Sequence, residues 1–343
     1  MMNDGKILSI IIPVYNAEKY IDKLILSLQN SKYVRLIEII CVDDGSQDSS
    51  LNIMEELKHK LENLIVLHQE NQGVSVARNS ALEKAVGKYI FFIDADDEIN
   101  IKEFDKTLKS IVKDDADFSI FGITDVFYCA NGKIKKRNNY TCDRIYDEIG
   151  FFEDFGRILN KHILYSPCNK IYKREIINEH HLKFDIDYKL GEDMLFNIAY
   201  LYYVKKTVMY NNYIYLYRHD ESRNDSGSTR FYDNEKEILF HIIDEIKKLL
   251  ENKQVFQVNE TSLDIFTVRK LSQLLNHAYA KNSPFTKQQK YQYIENLYVD
   301  ERVKKALNNP KVAMEEVDQK LLLVLHRHHI KKGVDLLYKI RNH

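Results

Sequence analysis

Within roughly its first hundred residues the chain sets four apolar, β-branched runs, "ILSIIIPV", "LIEIICV", "NLIVLHQ" and "KYIFFI", between stretches with helical spacing at 17–30, 47–62 and 74–86. Runs that are apolar at successive positions are covered on both faces, and strands that alternate with helices run parallel. The expected fold is α/β: a mostly parallel sheet flanked by helices. In such sheets ligands gather at the carboxyl ends of the strands.

Beyond residue 115 the pattern predicts a strand and a hairpin over 115–137, turning at Asn131-Gly132. Residues 147–180 mix helix and loop, 191–204 read as a helix opening after Gly191, and 211–219 read as a late strand. From Phe231 onward the pattern is helical, with turns at Ser283-Pro284 and Asn309-Pro310. This places a domain boundary near residue 230, with 1–230 holding the ligand and 231–343 forming a helical domain. A chain of 343 residues, 44% of them hydrophobic, can supply a core to each.

Charge and cysteine usage narrow the function. Fifty basic against fifty-one acidic residues leave no field to attract nucleic acid, so no nucleic-acid partner is expected. Cys41, Cys129, Cys142 and Cys168 form no C-x-x-C pair, which argues against a zinc site or disulfide framework and fits a reducing cytoplasm. The N-terminal apolar run is too short for a secretion signal, and no run of eighteen apolar residues occurs. A cytoplasmic protein is expected.

The stretch "FFIDADDEI" places Asp94, Asp96 and Asp97 directly after the fourth run. Two carboxylates about 5 Å apart repel by roughly 3 kcal/mol at an effective dielectric near 20, so something positive should stand beside them. Three readings compete: caps for the next helix, a phosphatase nucleophile, or a divalent-metal site for a nucleotide diphosphate. The phosphatase motif belongs on a first strand, and here three βα units come before it. The other strand ends, "PVYNAEKY", "VDDGSQDSS" and "ENQGVSVARN", are also polar and should converge on the same edge. Together they make a site.

These four segments resemble, in order and approximate spacing, the family 2 glycosyltransferases of the GT-A fold, which use nucleotide-activated sugars. "CNKIYKREII" and "GEDMLFN" extend the resemblance to about residue 200 and toward the branch that builds bacterial polysaccharides and surface glycans. The resemblance implies a Rossmann-like catalytic domain, a UDP-sugar donor and Mn²⁺ or Mg²⁺. It implies that Pro13 and Tyr15 line the base and ribose pocket, that Asp44 accepts from the uracil N–H, and that Asn71 and Arg78 hold the nucleotide. Asp96 would meet the metal, and Asp94 the ribose or a metal-bound water. Asp193, in the E-D pair, would be the base that takes the acceptor proton, and His219 or Arg218 would reach the diphosphate or metal.

Each assignment has a plainer counterpart. Asp43, Asp44 and Ser46 suit an Asx-type turn, Arg78 suits a solvated helix face, and Asp97 suits a prop or a cap. Glu192 and Asp193 suit first-turn acids favoured by the helix dipole. Tyr213, Tyr215 and Tyr217 alternate as on one face of a strand, which favours sheet packing over stacking on a sugar.

The expected activity is inverting, metal-dependent transfer of a hexose or N-acetylhexosamine to a hydroxyl of a growing glycan: capsule, lipopolysaccharide or glycoprotein, with the acceptor lipid- or protein-linked. The rivals are a nucleotidyltransferase, whose glycine-rich first loop is missing here, and a non-catalytic nucleotide-binding assembly partner. At the C-terminal end, Arg327, Lys331, Lys332, Lys339 and Arg341 accompany Ile330, Val334, Leu337 and Tyr338 at helical spacing. Such a helix either lies on the inner face of an anionic membrane or packs, against the catalytic domain or in a homo-oligomer. His326, His328, His329 and His343 lack a defined ligand set and are read as polar helix residues.

Overall fold

Each apolar run becomes a strand, β1 (Leu8–Val14), β2 (Ile37–Asp44), β3 (Leu64–Gln69) and β4 (Tyr89–Phe92), and the stretches between them become α1 (Ile21–Leu28), α2 (Ser50–Lys58) and α3 (Val74–Lys84). The computed structural model describes residues 5–129, 132–220, 232–280, 283–314 and 317–341. Asn131 of the expected hairpin turn, residues 221–231 at the expected boundary, and His343 lie outside them. β1 pairs in parallel with β2 and β4, and β2 with β3. Every residue of β2 is buried, as a strand covered on both faces requires.

The chain continues through β5 (Glu98–Ile99), α4 (Ile101–Asp114), β6 (Phe118–Tyr128), β7 (Ile134–Asn138) and β8 (Arg144–Asp147). There follow α5 (Glu148–Glu153), α6 (Phe155–Asn160), β9 (Lys170–Lys173), α7 (Arg174–Glu179), α8 (Glu192–Leu201) and β10 (Lys206–Asp220). The sheet order is β3-β2-β1-β4-β9-β6-β10-β5, with β7 on β6 and β8 on β10. Because β9 is antiparallel to both β4 and β6, and β6 is parallel to β10, the strands β1 to β4, β6 and β10 all point one way. Their carboxyl ends share an edge, and β9 starts at that edge.

Two features depart from the expected pattern. The central strand β9 was expected as part of a helix-and-loop stretch, because only Ile171 and Tyr172 lie between its two lysines. It is a strand because neighbours on both sides supply its hydrogen bonds, and Lys170 is fully buried within it. β10 is longer than the expected 211–219, since register shifts between Tyr210 and Tyr215 interrupt its pattern without ending its pairing with β6.

On one side of the sheet an aromatic layer fixes α8. The rings of Phe184 and Phe196 stack at 4.1 Å, and Phe92 meets both edge-on. Buried Asn197 accepts from the Tyr172 hydroxyl at 2.5 Å and donates to the Leu164 carbonyl at 2.9 Å. These contacts hold the helix that begins with Glu192 and Asp193.

The chain divides into two compact units, Met1–Phe151 with Ile163–Asn224, and Phe152–His162 with Asp225–His343. The second carries α6 and then α9 (Glu235–Asn252), α10 (Phe256–Tyr279), α11 (Lys287–Tyr298), α12 (Glu301–Asn308), α13 (Val317–Arg327) and α14 (Lys331–Arg341). Val334 and Tyr338, half of the apolar stripe noted in the sequence, are buried within it, where Tyr338 stacks on Tyr279. His326 is buried as well, its Nδ1 2.6 Å from the Tyr298 hydroxyl. Among the described residues no helix is long and apolar enough to cross a membrane.

Candidate active site

The loops that follow β1 and β2 are stitched together by short polar side chains. Asn16 Oδ1 accepts from the Gln47 N–H at 2.8 Å, the Asn16 N–H donates to Ser46 Oγ at 3.0 Å, and the Ala17 N–H donates to Ser50 Oγ at 2.8 Å. Pro13 is half-buried at the end of β1 and Tyr15 is 49% exposed beyond it. Asp43 makes the turn, its Oδ2 accepting from the Ser46 N–H at 3.3 Å. Asp44 does something else: it accepts from Gln69 Nε2, the Gln72 N–H and the Gly73 N–H at 2.8–2.9 Å, and so fastens the loop after β3. A carboxylate has about four acceptor positions, which leaves Asp44 room for roughly one more donor. Gly45, at φ +71°, lets that loop close over the turn, where an added Cβ would meet the Asn71 nitrogen at 2.8 Å. Asn71 itself is exposed.

Beside this cradle stand the aspartates that end β4. Asp97 is buried; its Oδ2 accepts from the Tyr215 hydroxyl at 2.6 Å and its Oδ1 from the Arg218 N–H at 2.7 Å. The same hydroxyl accepts from the Asp94 N–H at 3.1 Å. Burial, then the charges of Asp94 and Asp96, push the Asp97 carboxyl well above the usual carboxylate range. It acts as a prop between the aspartate loop and β10. Asp94 and Asp96 are partly exposed.

The positive charge that the crowded carboxylates require is Arg78. Its guanidinium is 3% exposed, donates from Nη2 to Asp94 at 3.0 Å and from Nη1 to Asp193 at 2.6 Å, and lies 5.1 Å from the centre of the Phe184 ring. Neither a solvated helix face nor an open nucleotide contact describes it. Arg78 is a buried bridge from the aspartates after β4 to the first turn of α8. Asn79, the next residue, secures the ring beneath it by donating to the Phe184 carbonyl and accepting from the Phe184 N–H, both at 2.8 Å.

Asp193 keeps 28% of its side chain exposed. Desolvation raises its carboxyl above the ordinary value; Arg78 opposes the rise and Asp94 adds to it. Glu192 is pushed up to about 7, by desolvation first and by Asp193 second. Nearby, Lys170 donates to the Ile163 and Ser166 carbonyls and to Asn169 Oδ1 at 2.5–2.7 Å. Burial pushes its amine down to about 7, while three accepting oxygens favour the ammonium.

The shift at Glu192 has a sign that can be tested. A carboxyl whose folded pKa exceeds its unfolded value favours the fold below the ordinary 4.5, and that contribution is lost as pH rises through about 7. Glu192→Gln removes the titration. The variant's melting temperature should therefore gain on the wild type between about pH 5 and about pH 8. Equal differences at both ends, by thermal unfolding, would take the Glu192 proton out of the account.

Of the late-strand candidates, His219 donates from Nε2 to Asp125 at 2.9 Å and stacks on Phe127 at 4.4 Å. Arg218 donates to Glu98 at 2.5 Å and lies over the Tyr128 ring at 4.0 Å. Tyr217, 38% exposed, is close enough to Asp97, Asp94 and Asp96 for their charges to raise its phenol, after burial, beyond the normal range. The tyrosine alternation thus carries more than sheet packing: Tyr215 props the aspartates and Tyr217 borders them. Cys168, buried with its Sγ 3.5 Å from Asp94 Oδ2, is a further neighbour that isolated cysteine spacing does not reveal. Among the described residues no three His, Cys, Asp or Glu side chains form a group able to hold a metal ion unaided.

Comparison with known proteins matches the family model described as "Glycosyl transferase family 2" to residues 9–180. The chain is 33% identical over 222 residues to "Glycosyltransferase GlyA" of Streptococcus pneumoniae, covering 64% of this chain and 31% of that one. It is 35% identical over 201 residues to "Poly(ribitol-phosphate) beta-N-acetylglucosaminyltransferase TarS" of Staphylococcus aureus, covering 56% of this chain and 32% of that one. The chain thus spans about a third of the length of these curated relatives. In fold it is similar to the crystal structure of S. aureus TarS 1–349 in complex with UDP, with a TM-score of 0.67 at 23% identity over 98% of this chain and 90% of that one.

Proposed function

The chain belongs to glycosyltransferase family 2, and from that membership we propose that it moves a hexose or N-acetylhexosamine from a UDP-sugar to a hydroxyl of a growing glycan, with inversion. The observation that carries this reading is the Arg78 bridge, which ties the aspartates at the end of β4 to Asp193 at the open end of α8. It sets a carboxylate suited to take a proton beside carboxylates suited to a sugar nucleotide.

In the reaction the acceptor oxygen attacks the anomeric carbon, the bond from that carbon to the diphosphate oxygen breaks, and UDP leaves. Asp193 takes the proton from the attacking hydroxyl. Pro13, Tyr15, Asp44 and Asn71 would hold the base and ribose, with the flat exposed ring of Tyr15 as a wall and Asp44 as acceptor for the imide N–H. His219, fixed in orientation by Asp125 and Phe127, would face the diphosphate. Arg78 keeps Asp193 nearer its ionised form than burial alone would allow. Its part is positioning.

The donor set suits a hard divalent cation such as Mn²⁺ or Mg²⁺. Asp94 and Asp96 offer carboxylate oxygens at a partly exposed strand end, and Asp97 bears the repulsion of both. Asp96 is the direct ligand in this reading and Asp94 the ribose or outer ligand. When bound, such an ion supplies Lewis-acid stabilisation of the leaving diphosphate. The UDP-sugar assignment draws support from the relative described as an N-acetylglucosaminyltransferase and from the TarS structure with UDP. A cytoplasmic setting, with the helical unit serving assembly or contact with the membrane's inner face, fits this chemistry.

The test is UDP release from a panel of UDP-sugars with Mn²⁺ and with EDTA, slow hydrolysis standing in for the acceptor. One sugar should be cleaved faster than the rest, and only with metal. Equal release in EDTA would remove the metal from the reading, and absence of both release and UDP binding would overturn it.

A further inference from the structure

Five of the seventeen large apolar side chains that stand exposed among the described residues fall between 321 and 340, in the last two helices of the helical unit. Scattered singly, such residues need no partner; gathered on one surface, they do. On α13, Leu322, Leu323 and His326 are buried, while Leu321 and Val324 point the other way and are exposed. On α14, Val334, Asp335 and Tyr338 are buried, while Leu336 and Ile340 are exposed. The helices touch where Leu325 meets Gly333, a position at which an added Cβ would stand 2.8 Å from Leu325 Cδ2. Leu325 follows Leu321 by four residues and Gly333 precedes Leu336 by three, so this contact joins the apolar surface of one helix to that of the other. Val334 and Tyr338, from the stripe visible in the sequence, are turned inward, and a different set of residues makes the outer face.

The margins of that face are basic. Lys320 stands four residues before Val324 and Lys332 four before Leu336, and both lysines are exposed. Asp335 is the one acid in 319–341, and it is turned inward, where it accepts from the Tyr279 hydroxyl at 2.9 Å and from Lys339 at 2.6 Å. Arg327 is engaged by the carbonyls of Leu307, Asn309 and Val312 at 2.8–3.0 Å. The outer face is therefore apolar at its centre and cationic at its edge, with no carboxylate of 319–341 upon it.

We infer that this face lies on a bilayer that carries anionic phospholipid, with Leu321, Val324, Leu336 and Ile340 at the acyl boundary and Lys320 and Lys332 at the lipid phosphates. The surface belongs to the helical unit alone and does not rest on the transfer reading. A second copy of the chain is the rival occupant. Two copies joined there would bring the lysines of both together with no carboxylate of 319–341 to meet them, whereas an anionic bilayer complements the apolar centre and the basic edge at once.

The test is co-sedimentation of the full chain with vesicles of phosphatidylcholine alone, and with vesicles of phosphatidylcholine and phosphatidylglycerol in equal parts. Binding should appear on the mixed vesicles, weaken as salt rises, and be at least about tenfold weaker on phosphatidylcholine alone. Lys320→Gln/Lys332→Gln should weaken it about 25-fold and Leu336→Gln/Ile340→Gln about a hundredfold, each with the melting temperature of the wild type because the positions are exposed. Absence of binding to the mixed vesicles, or binding unchanged in either variant, overturns the inference. A wild-type dimer that Leu336→Gln/Ile340→Gln abolishes would give the face to a second copy and overturn it as well. UDP titrated into the same samples should bind wild type and variants alike; its failure to bind would sink the transfer reading and leave the lipid result standing.

Discussion

Asp193→Asn is expected to slow sugar transfer by roughly a thousandfold while leaving UDP affinity within about twofold of wild type. The amide keeps the size of the side chain and an oxygen to accept from Arg78 Nη1, so the bridge at 2.6 Å retains its geometry. What it loses is the capacity to take a proton. A general base contributes about a hundred- to ten-thousandfold, and this one stands on a helix whose Phe196 and Asn197 are locked by packing. Turnover at saturating donor, with UDP binding by calorimetry alongside, makes the check. Near-normal turnover would move the proton acceptor elsewhere, and lost UDP binding would mean that the residue shapes the donor pocket.

The second large effect is expected at Arg78. Arg78→Met should cost about 3 kcal/mol of stability, toward the low end for a broken buried pair because Asp94 and Asp193 keep 37% and 28% of their side chains exposed. For a unit of this size that is a fall in melting temperature of roughly 6–12 °C. The loss should deepen as pH rises. At low pH the carboxylates are neutral and need no partner, while at high pH both are charged and the variant offers them no guanidinium. Activity should shift in the matching sense: without the cation Asp193 holds its proton to higher pH, and the acid limb of the rate profile moves upward. Arg78→Lys should recover only part of either effect, since a point charge cannot reach two carboxylates in fork geometry. A melting temperature equal to wild type at about pH 8 would end the bridge as a source of stability.

What the sequence made legible follows from how local each signal is. The four parallel strands could be read because each is a continuous apolar run followed by polar residues, and the DADD segment stood out as charge placed directly after burial. Asp44 could be singled out, but not its grip on the loop after β3, because its partners at 69, 72 and 73 belong to another strand end. Arg78 was visible as a helix residue; its burial depends on a ring supplied 106 residues later by Phe184. β9 was hidden for a related reason. A strand that ends in lysines reads as surface unless the carbonyls that will cap Lys170 are already known. The tyrosines of β10 were placed on one strand face, yet only the pairing of that strand with β5 and β6 brings Tyr215 and Tyr217 to the aspartates.

The position of β9 also sets an order of assembly. During synthesis β1 to β4 emerge first and can pair among themselves, but the open edge of β4 has no lasting neighbour until Lys170–Lys173 leaves the ribosome. β6 must wait for the same four residues, because β9 is what joins it to the earlier strands. The closing step therefore spans about eighty residues of chain and carries a correspondingly large loop entropy, which makes it slow relative to the helices and hairpins formed on either side. In that interval the apolar edge of β4 is open to other chains, so aggregation during refolding should depend on how fast one short, lysine-bracketed strand finds its slot.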